Sequence, residues 1–480
     1  MQPRGRRHRC GTNPRAVSFA GLFSTTCAFT AFAAALVVAP GGVGWPARAE
    51  DDFVVEEGPV YSRQTNLIES LTPAKVKWLL AEFDPGEQLE VEVSPRMLVT
   101  PGGDCLYLNG LKALDADTAV ALAKGWKGSL MLGGLTSLDA DAARALETDA
   151  RVNRGEMLSV FGLTSLDAGT AKVLAGTRGW DGILSRLTTL EADVATALAA
   201  FEGQLYLDGL TELSPEAAEA LVRSEASSLH LNGLTGISPE AAEGLGRCGA
   251  LNLHLNGVKT LSAAAASALA RFGREGSSLH LTGLTTLDAE TAKALAASKA
   301  WTGQLPYLER LDAATAAAFV EFLNAKKKLK NVGLPIVIGG LTRLDGETAR
   351  TLDTLEWVLL EVPRLTTLSV DTATALAGCR AWWSGSLPGI TALDSPDAVA
   401  IATALATRRG RLSLPNLEKI SPDALSALVE KEDVQIPPIK TLELTTGPGG
   451  ISTDDFVLPE GFARRQEEEL LRRQKEQQAE

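Results

Sequence analysis

A unit of about 24 residues recurs along most of this chain, from residue 68 to residue 442. One copy reads LHLNGLTGISPEAAEGL and spans Leu229–Leu245. Apolar and polar residues alternate at its start, which is the pattern of a half-buried strand with the leucines inward. Ser238 then offers an N-cap, followed by a first-turn proline and a first-turn acid. Each unit therefore predicts one strand followed by one short helix.

The copies share their key positions in register. The apolar anchor after the strand falls at Leu111, Leu135, Leu163, Leu187, Leu210, Leu234, Val258, Leu284, Leu308, Leu341, Leu365, Ile390, Leu417 and Ile439. A second apolar anchor lies three residues later. The predicted helix cap follows it, at Asp115, Asp139, Asp167, Glu191, Ser214, Ser238, Ser262, Asp288, Asp312, Asp345, Ser369, Asp394 and Ser421. Four residues past the cap stands Ala in all but the last copy, which has Leu425. Such regularity does not arise by chance.

A repeat of this length predicts a solenoid of the α/β class, because one unit cannot bury its apolar face alone. We place about 13–14 units in residues 105–446. Parallel strands stack about 4.8 Å apart, whereas a helix is about 10 Å across. A solenoid with strands on one side and helices on the other must therefore curve, with the strands on the inside.

The segment LHLNGLTGISPEAAEGL resembles the leucine-rich repeat family, whose strand motif is LxLxxL. It is most similar to a bacterial variety with an Ala-rich helix, and the resemblance covers about 375 of the 480 residues. It implies a right-handed solenoid with parallel strands on the concave side, short helices on the convex side, and ligand or protein binding on the concave face. It implies no catalysis and no cofactor. The Asn row usual after the strand in that family is replaced here by Gly-Leu-Thr, as in GLTSLD at Gly134–Asp139.

The two ends differ from the repeats. Residues 1–49 have a basic start, an apolar run and a small-residue site at Ala47-Arg48-Ala49, which predicts a cleaved signal peptide. The alternative is an uncleaved membrane anchor, since the apolar run is nearly long enough to span a bilayer. Residues 50–104 are predicted to cap the solenoid, with a degenerate helix after Thr72 and a strand at Leu89–Val93. Residues 447–480 form a charged tail, helical or disordered.

Charge and cysteine content exclude some functions. The leader contains six Arg and no acid, so the remaining chain carries −19, six more negative than the full-length −13. A cationic surface is needed for nucleic acid or an anionic membrane, and the charge argues against both as partners. After cleavage Cys105, Cys248 and Cys379 remain, too far apart along the solenoid for an intramolecular disulfide.

The candidate site is a row of rings on the strands. His230, His254 and His280 each lie four residues before the anchor in consecutive units, and Tyr206 holds that place one unit earlier. Stacked strands would set them side by side on the concave face. The next outward row is Asp208, Asn232, Asn256 and Thr282. Three interpretations stay open: a site for a protein, peptide or glycan; a metal site, since His is the commonest metal ligand; or a by-product of unit duplication.

No catalytic motif stands beside this row. The sequence contains no Gly-rich phosphate loop, GxSxG or HExxH, and the cap residues have a structural role. An insertion at Val320–Asn331 carries a lysine cluster, interpreted as a solvated helix end or a partner site. The sequence thus predicts an exported, non-enzymatic, monomeric binding or scaffold module, secreted or held in the periplasm or cell envelope. The alternatives are a membrane-anchored structural envelope protein and a metal-binding solenoid.

Overall fold

A computed structural model describes residues 68–81, 105–126, 128–147, 157–274, 276–328, 336–354, 358–360, 362–379 and 383–445. These residues belong to one compact unit, residues 59–480. The predicted leader, the predicted strand Leu89–Val93, residues 148–156 and the charged tail lie outside the described residues.

The described part contains short α-helices, one in nearly every repeat. They are α1 (Pro73–Ala81), α2 (Ala116–Gly125), α3 (Ala140–Leu146), α4 (Ala168–Gly176), α5 (Ala192–Leu198), α6 (Pro215–Ala220), α7 (Pro239–Gly246), α8 (Ala263–Leu269), α9 (Ala289–Ala296), α10 (Ala313–Lys328), α11 (Gly346–Leu352), α12 (Val370–Gly378), α13 (Ala398–Ala406) and α14 (Pro422–Val429). Each helix packs against the next one along the chain. Helix α1 begins after Thr72, whose hydroxyl accepts the N–H of Lys75, as the sequence predicts.

The strands are short and pair in parallel. They are β1 (Cys105–Tyr107), β2 (Ser129–Met131), β3 (Leu158–Ser159), β4 (Gln204–Tyr206), β5 (Ser228–His230), β6 (Asn252–His254), β7 (Ser278–His280), β8 (Ile336–Ile338), β9 (Val358–Leu360), β10 (Ala392–Leu393), β11 (Leu412–Ser413), β12 (Lys419–Ile420), β13 (Val434–Gln435) and β14 (Glu443–Leu444). The sheets run β1-β2-β3, β4-β5-β6-β7, β8-β9, β11-β13 and β10-β12-β14. The fold is therefore α/β, with parallel strands and helices alternating along the chain, an arrangement compatible with a repeat solenoid.

One hydrophobic cluster runs through the described repeats, from Leu71 to Leu442. The inward leucines of the strands, such as Leu229 and Leu231, are fully buried, and so is nearly every first anchor. The helix alanines four past the cap are buried as well, each at 1% exposure or less. The inward positions of the strand leucines, the first anchors and the helix alanines are confirmed. Some second anchors, such as Leu213 and Ile237, are only partly buried against this core.

The predicted caps are largely confirmed. The side chains of Asp115, Asp139, Asp167, Ser214, Ser238, Ser262, Asp288, Asp312, Asp345, Ser369 and Ser421 each accept an N–H from the first helical turn. Glu191 occupies the cap position but makes no such bond with its side chain. At Thr170, Thr291 and Thr372, three past the cap, the hydroxyl also donates to a backbone oxygen of the preceding unit.

The prediction of Asp394 as a cap is wrong. Helix α13 begins at Ala398, and Asp397 precedes it. The residue before a proline is pushed out of the helical region, so Ser395, before Pro396, cannot be the first helical residue after Asp394. In Ser214-Pro215 the residue before proline is the extended cap itself, and no conflict arises.

Buried tryptophans interrupt the strand pairing on either side of the sheet β4–β7. Trp180 makes a single parallel bridge to Leu158, and Trp301 makes one to Leu279. In a regular strand the inward residues are two apart, but Trp180 and the next inward leucine, Leu184, are four apart. The extra residues form a bulge at a glycine with positive φ, 71° at Gly182 and 74° at Gly303. These bulges flank the sheet β4–β7 on both sides.

The insertion at Val320–Asn331 is in part helical. Helix α10 runs through to Lys328, so the lysines at 326–328 continue a helix instead of forming a loop. This agrees with the interpretation as a helix end. Lys330 and Asn331 lie outside the described residues.

Candidate ligand-binding face

The structure confirms that the four rings of Tyr206, His230, His254 and His280 lie side by side on neighbouring strands. The register of β4–β7 sets Tyr206 opposite His230, His230 opposite His254, and His254 opposite His280. Their ring centroids are 4.1, 4.2 and 4.4 Å apart, and neighbouring planes are inclined by only 14°, 4° and 3°. We call these four residues the ring ladder. All four are half-buried, because each ring covers a face of its neighbour and leaves mainly an edge to solvent.

The imidazoles of the ladder are neutral near pH 7. Burial lowers the pKa of His230, His254 and His280 from the usual 6.5. For His254, the middle imidazole, burial and then its two imidazole neighbours lower the pKa to about 4. The Asp208 carboxylate partly opposes this effect at His230. Burial, followed by the same carboxylate, raises the pKa of the Tyr206 phenol, which therefore also stays uncharged.

The next outward row, Asp208, Asn232, Asn256 and Thr282, links the units. Asp208 Oδ1 accepts the backbone N–H of Asn232 at 2.9 Å, and Asn232 Oδ1 accepts that of Asn256 at 3.1 Å. Asn256 Oδ1 accepts both the N–H and the hydroxyl of Thr282, at 3.2 and 2.9 Å. We call these residues the amide row. Their side-chain oxygens satisfy backbone donors that would otherwise be left without a partner.

The amide row has a structural role that the sequence did not predict. The side-chain oxygens of Asp208, Asn232 and Asn256 bind the backbone of the next unit. The same bond occurs near the start of the chain, where Asn109 Oδ1 accepts the N–H of Gly133 at 2.8 Å. In the sequence this role is marked by an Asn or Asp two residues before the anchor. From the sequence alone, these residues are interpreted as ligand contacts, not as hydrogen bonds between units.

A third row borders the rings on the other side and was not singled out from the sequence. It consists of Gln204, Ser228, Asn252 and Ser278, which pair in the same register. Gln204 accepts the Tyr206 hydroxyl at 2.6 Å. The Asn252 amide donates to Ser228 at 3.1 Å and accepts the Ser278 hydroxyl at 2.6 Å. We call these residues the flanking row, and the three rows together the strand face.

A serine and an imidazole adjoin each other on this face without forming a catalytic pair. His280 Nε2 lies 3.0 Å from Ser278 Oγ. The Ser278 hydroxyl donates its single proton to Asn252, so His280 Nε2 must carry the proton in this contact. An imidazole that donates to serine cannot remove the serine proton, as nucleophilic catalysis requires.

The ring geometry does not suit a metal ion. The lone pair of an imidazole nitrogen lies in the ring plane, so rings within 4° of parallel hold their lone pairs in separate, nearly parallel planes that do not meet at one point. A bound zinc ion needs nitrogens converging on it at about 2.0–2.1 Å in a tetrahedron. Within the described residues, no group of three or more His, Cys, Asp or Glu side chains has a metal-binding arrangement.

Earlier in the chain an aromatic ring occupies the row of the amides. Phe161 stands two residues before its anchor, in the place that Asp208 has two units later, and is 38% exposed. Its neighbour in the preceding unit is Gly133. A Cβ built on Gly133 would lie 2.0 Å from Phe161 Cζ and 2.4 and 2.6 Å from the two Cε atoms. Those nearly equal distances place the atom above the ring plane, so one face of Phe161 rests on the glycine.

The bulge before the ladder holds a buried carboxyl. Asp181 follows Trp180, and its Oδ1 accepts the N–H of Ile183 at 3.1 Å. Its Oδ2 is buried without a hydrogen-bond partner. Burial raises the pKa of Asp181 to about 6, although hydrogen bonds from Ser159 and Ile183 act in the opposite direction.

Cys248 and Cys379 are buried free thiols, as expected from their separation in sequence. The side chain of Cys105 is not among those described. Trp126, Trp180 and Trp301 are buried core residues, at most 8% exposed, and offer no open ring face to a sugar.

Comparison with known proteins leaves the family of this chain open. No protein-family model matches the sequence, and a search of curated proteins finds no significant match. Over the residues that the structure describes, none of the helices combines the length and apolar character needed to cross a lipid bilayer.

Proposed function

We propose that this chain is an exported, non-enzymatic, leucine-rich-repeat-like solenoid that binds a protein, peptide or glycan through its strand face. Parallel pairing of successive strands and packing of successive helices support the solenoid. The difference between strand spacing and helix width would curve it with the strand face inside. A strand–helix–parallel-strand connection is nearly always right-handed, which supports a right-handed solenoid.

The ring ladder is the observation that carries this proposal. A surface strand row with no function has no need for four half-buried rings in one continuous stack, bordered on both sides by amides and hydroxyls. Concave surfaces of solenoids are their usual binding surfaces. The parallel ring planes and the protonated Nε2 of His280 favour binding over metal chemistry or catalysis.

Location and assembly form part of the same proposal. The chain would act as a monomer in the periplasm, in the cell envelope or outside the cell, without a cofactor. Its acidic charge disfavours nucleic acid and anionic membranes as partners.

Affinity capture from cell-envelope extracts tests the binding face. The bait proteins are the wild type and a ladder variant with Tyr206, His230, His254 and His280 changed to Ala. A variant with Glu216, Glu240 and Glu290 changed to Ala is the control, since these exposed side chains lie on helices of the same region. We expect a partner that the wild type and the helix variant retain and the ladder variant loses. Equal capture by all three proteins would contradict the proposal.

The ladder variant could lose binding by unfolding, so a second variant guards against this. His230→Asn, His254→Asn and His280→Asn together keep polar side chains that can stack and hydrogen-bond along the strands. Its melting temperature should stay close to that of the wild type while its binding falls. An unchanged melting temperature together with unchanged binding would place the ligand elsewhere.

A further inference from the structure

We infer that the ligand of the strand face is a linear, uncharged glycan of β-linked pyranoses, laid across the strands from Phe161 to His280. This inference rests on the proposed function and names its ligand class. It draws on the spacing of the polar groups, on their chemistry, and on the ring of Phe161.

The groups on the strand face recur once per strand. Rings follow at 4.1–4.4 Å, and the strands that carry them at about 4.8 Å. An extended peptide advances about 3.3–3.4 Å per residue, with alternating side chains, and falls out of phase with this repeat. A β-linked pyranose residue is slightly longer than one strand spacing. A glycan crossing the strands can therefore set one sugar on each unit.

The chemistry of the three rows suits hydroxyl groups. Amides, hydroxyls and neutral imidazoles both donate and accept hydrogen bonds, as sugar hydroxyls do. Of the twelve residues in the rows, Asp208 alone is charged near pH 7. The chain as a whole carries −13, so a polyanionic glycan would be repelled. The ligand that fits is polar and uncharged.

Phe161 supplies the stacking surface that the ladder lacks. The apolar C–H face of a pyranose packs against an aromatic face, but the ladder rings cover one another's faces everywhere except at the two ends of the stack. Phe161 lies flat on Gly133 and is 38% exposed, so part of its ring is accessible to a ligand. It belongs to the row that continues through Ser185 to Asp208. Phe161 would hold the sugar at one end of the site, two units before the ladder begins.

Titration calorimetry of the full chain with defined oligosaccharides tests this inference. The probes are β-1,4-linked hexaoses of glucose, mannose and N-acetylglucosamine, with the α-1,4-linked glucose hexaose as a matched control. We expect saturable binding of at least one β-linked hexaose, about tenfold tighter than the α-linked control. Failure of every β-linked hexaose to bind, or equal binding of α and β linkage, would overturn the inference.

Substitutions at Phe161 distinguish aromatic stacking on the sugar from nonspecific hydrophobic contact. Phe161→Leu should weaken the hexaose about tenfold, the size expected for one aromatic contact. Phe161→Tyr keeps a ring and should stay within about twofold of wild type. Val399→Ala, an exposed apolar side chain on helix α13, is the control and should change nothing. Unchanged binding by Phe161→Leu would remove Phe161 from the site and overturn the inference.

The two proposals fail in different ways. Capture of a protein by the ladder, with no response to any oligosaccharide, would overturn the glycan and leave strand-face binding intact. Binding of a hexaose that survives both Phe161→Leu and the ladder substitutions would overturn the glycan inference, because the sugar would then lie away from the strand face. The proposed function would fail with it only if the ladder variant also retained every captured partner.

Discussion

The middle imidazole of the ladder resists protonation in the folded protein. Its pKa is about 4, against 6.5 for an ordinary histidine, so the unfolded chain binds a proton first as pH falls. Stability therefore declines as pH drops from 6.5 to 4. One pKa unit corresponds to about 1.4 kcal/mol, reduced here by partial exposure. We expect His254 to contribute a loss of about 1–3 kcal/mol, measured by urea unfolding across this range, and His254→Asn to remove it.

Asp181 also changes the unfolding free energy over this pH range, but in the opposite direction to His254. Its folded pKa is about 6, above the usual 3.8, so the folded chain binds its proton first as pH falls. The buried carboxylate therefore costs stability at pH 7, and that cost is relieved between pH 6 and 3.8. We expect Asp181→Asn to raise the unfolding free energy at pH 7 by about 1–3 kcal/mol. A less stable variant at pH 7 would contradict the buried, unpaired state of Oδ2.

Gly283 and Gly236 give a matched test of close packing between units. A Cβ on Gly283 would lie 1.8 Å from the Asn256 backbone oxygen, so the two units would have to separate. A Cβ on Gly236 meets nothing within 4 Å. We expect Gly283→Ala to cost about 1–3 kcal/mol and Gly236→Ala to be neutral or slightly stabilising, as thermal melting would show. Equal effects at both sites would contradict this contact.

At the residue scale, the sequence predicts placement better than role. The stacking of Tyr206, His230, His254 and His280 follows from their common distance to the anchor. The hydrogen bonds of Asp208, Asn232 and Asn256 do not, because a polar side chain beside a strand can face a ligand or a neighbouring backbone. Register alone cannot decide between these, and it places Phe161 in the same row without showing that its ring lies on Gly133.

Helix caps set where each helix begins, and two positions allow a paired test. Asp288 accepts the N–H of Thr291 at 2.7 Å, whereas Glu191 makes no side-chain cap bond. We expect Asp288→Ala to lower the unfolding free energy by about 0.5–2 kcal/mol. Glu191→Ala should change it by less than about 0.5 kcal/mol, since no bond is lost. Chemical denaturation of both variants checks this, and equal losses would contradict the cap geometry.

The two tryptophan bulges could not be predicted from the sequence, because the spacing between anchors is unchanged there. Leu163 to Leu187 and Leu284 to Leu308 are both ordinary steps of 24 residues. Each tryptophan bulge adds two residues, and the segment from the preceding helix cap to the tryptophan is two residues shorter. The distance between anchors therefore stays the same. At helix α13 the local chemistry did carry a signal, because Pro396 follows Ser395 and forbids a helix start at Asp394.

On the scale of the whole molecule, the leader decides where the protein works. If it is a signal peptide, the small-residue site before Glu50 is cut on export. We expect intact-mass spectrometry of the natively produced protein to show a chain that starts at Glu50. An intact Met1 in the membrane fraction would contradict release and favour the anchored envelope protein.

The alternation of strands and helices was predictable over most of the chain because each unit repeats the same pattern of strand, anchor, cap and helix residues. The division into short sheets was not, since it depends on where Trp180 and Trp301 enter the core. The sheet that carries the ring ladder is bounded by these two bulges, so the molecule sets this stretch of four strands apart from the rest.

The parallel register within that stretch makes its length adjustable. Leu205 lies opposite Leu229 and Leu229 opposite Leu253, each at an offset of 24 residues, whereas Leu279 lies opposite Leu253 at an offset of 26. Excising residues 228–251 would bring Gln204–Tyr206 beside Asn252–His254, with each leucine still meeting a leucine. A cut of an odd number of residues would set inward side chains against outward ones. The gene can thus gain or lose whole modules, and each exchange would lengthen or shorten the column of rings by one member.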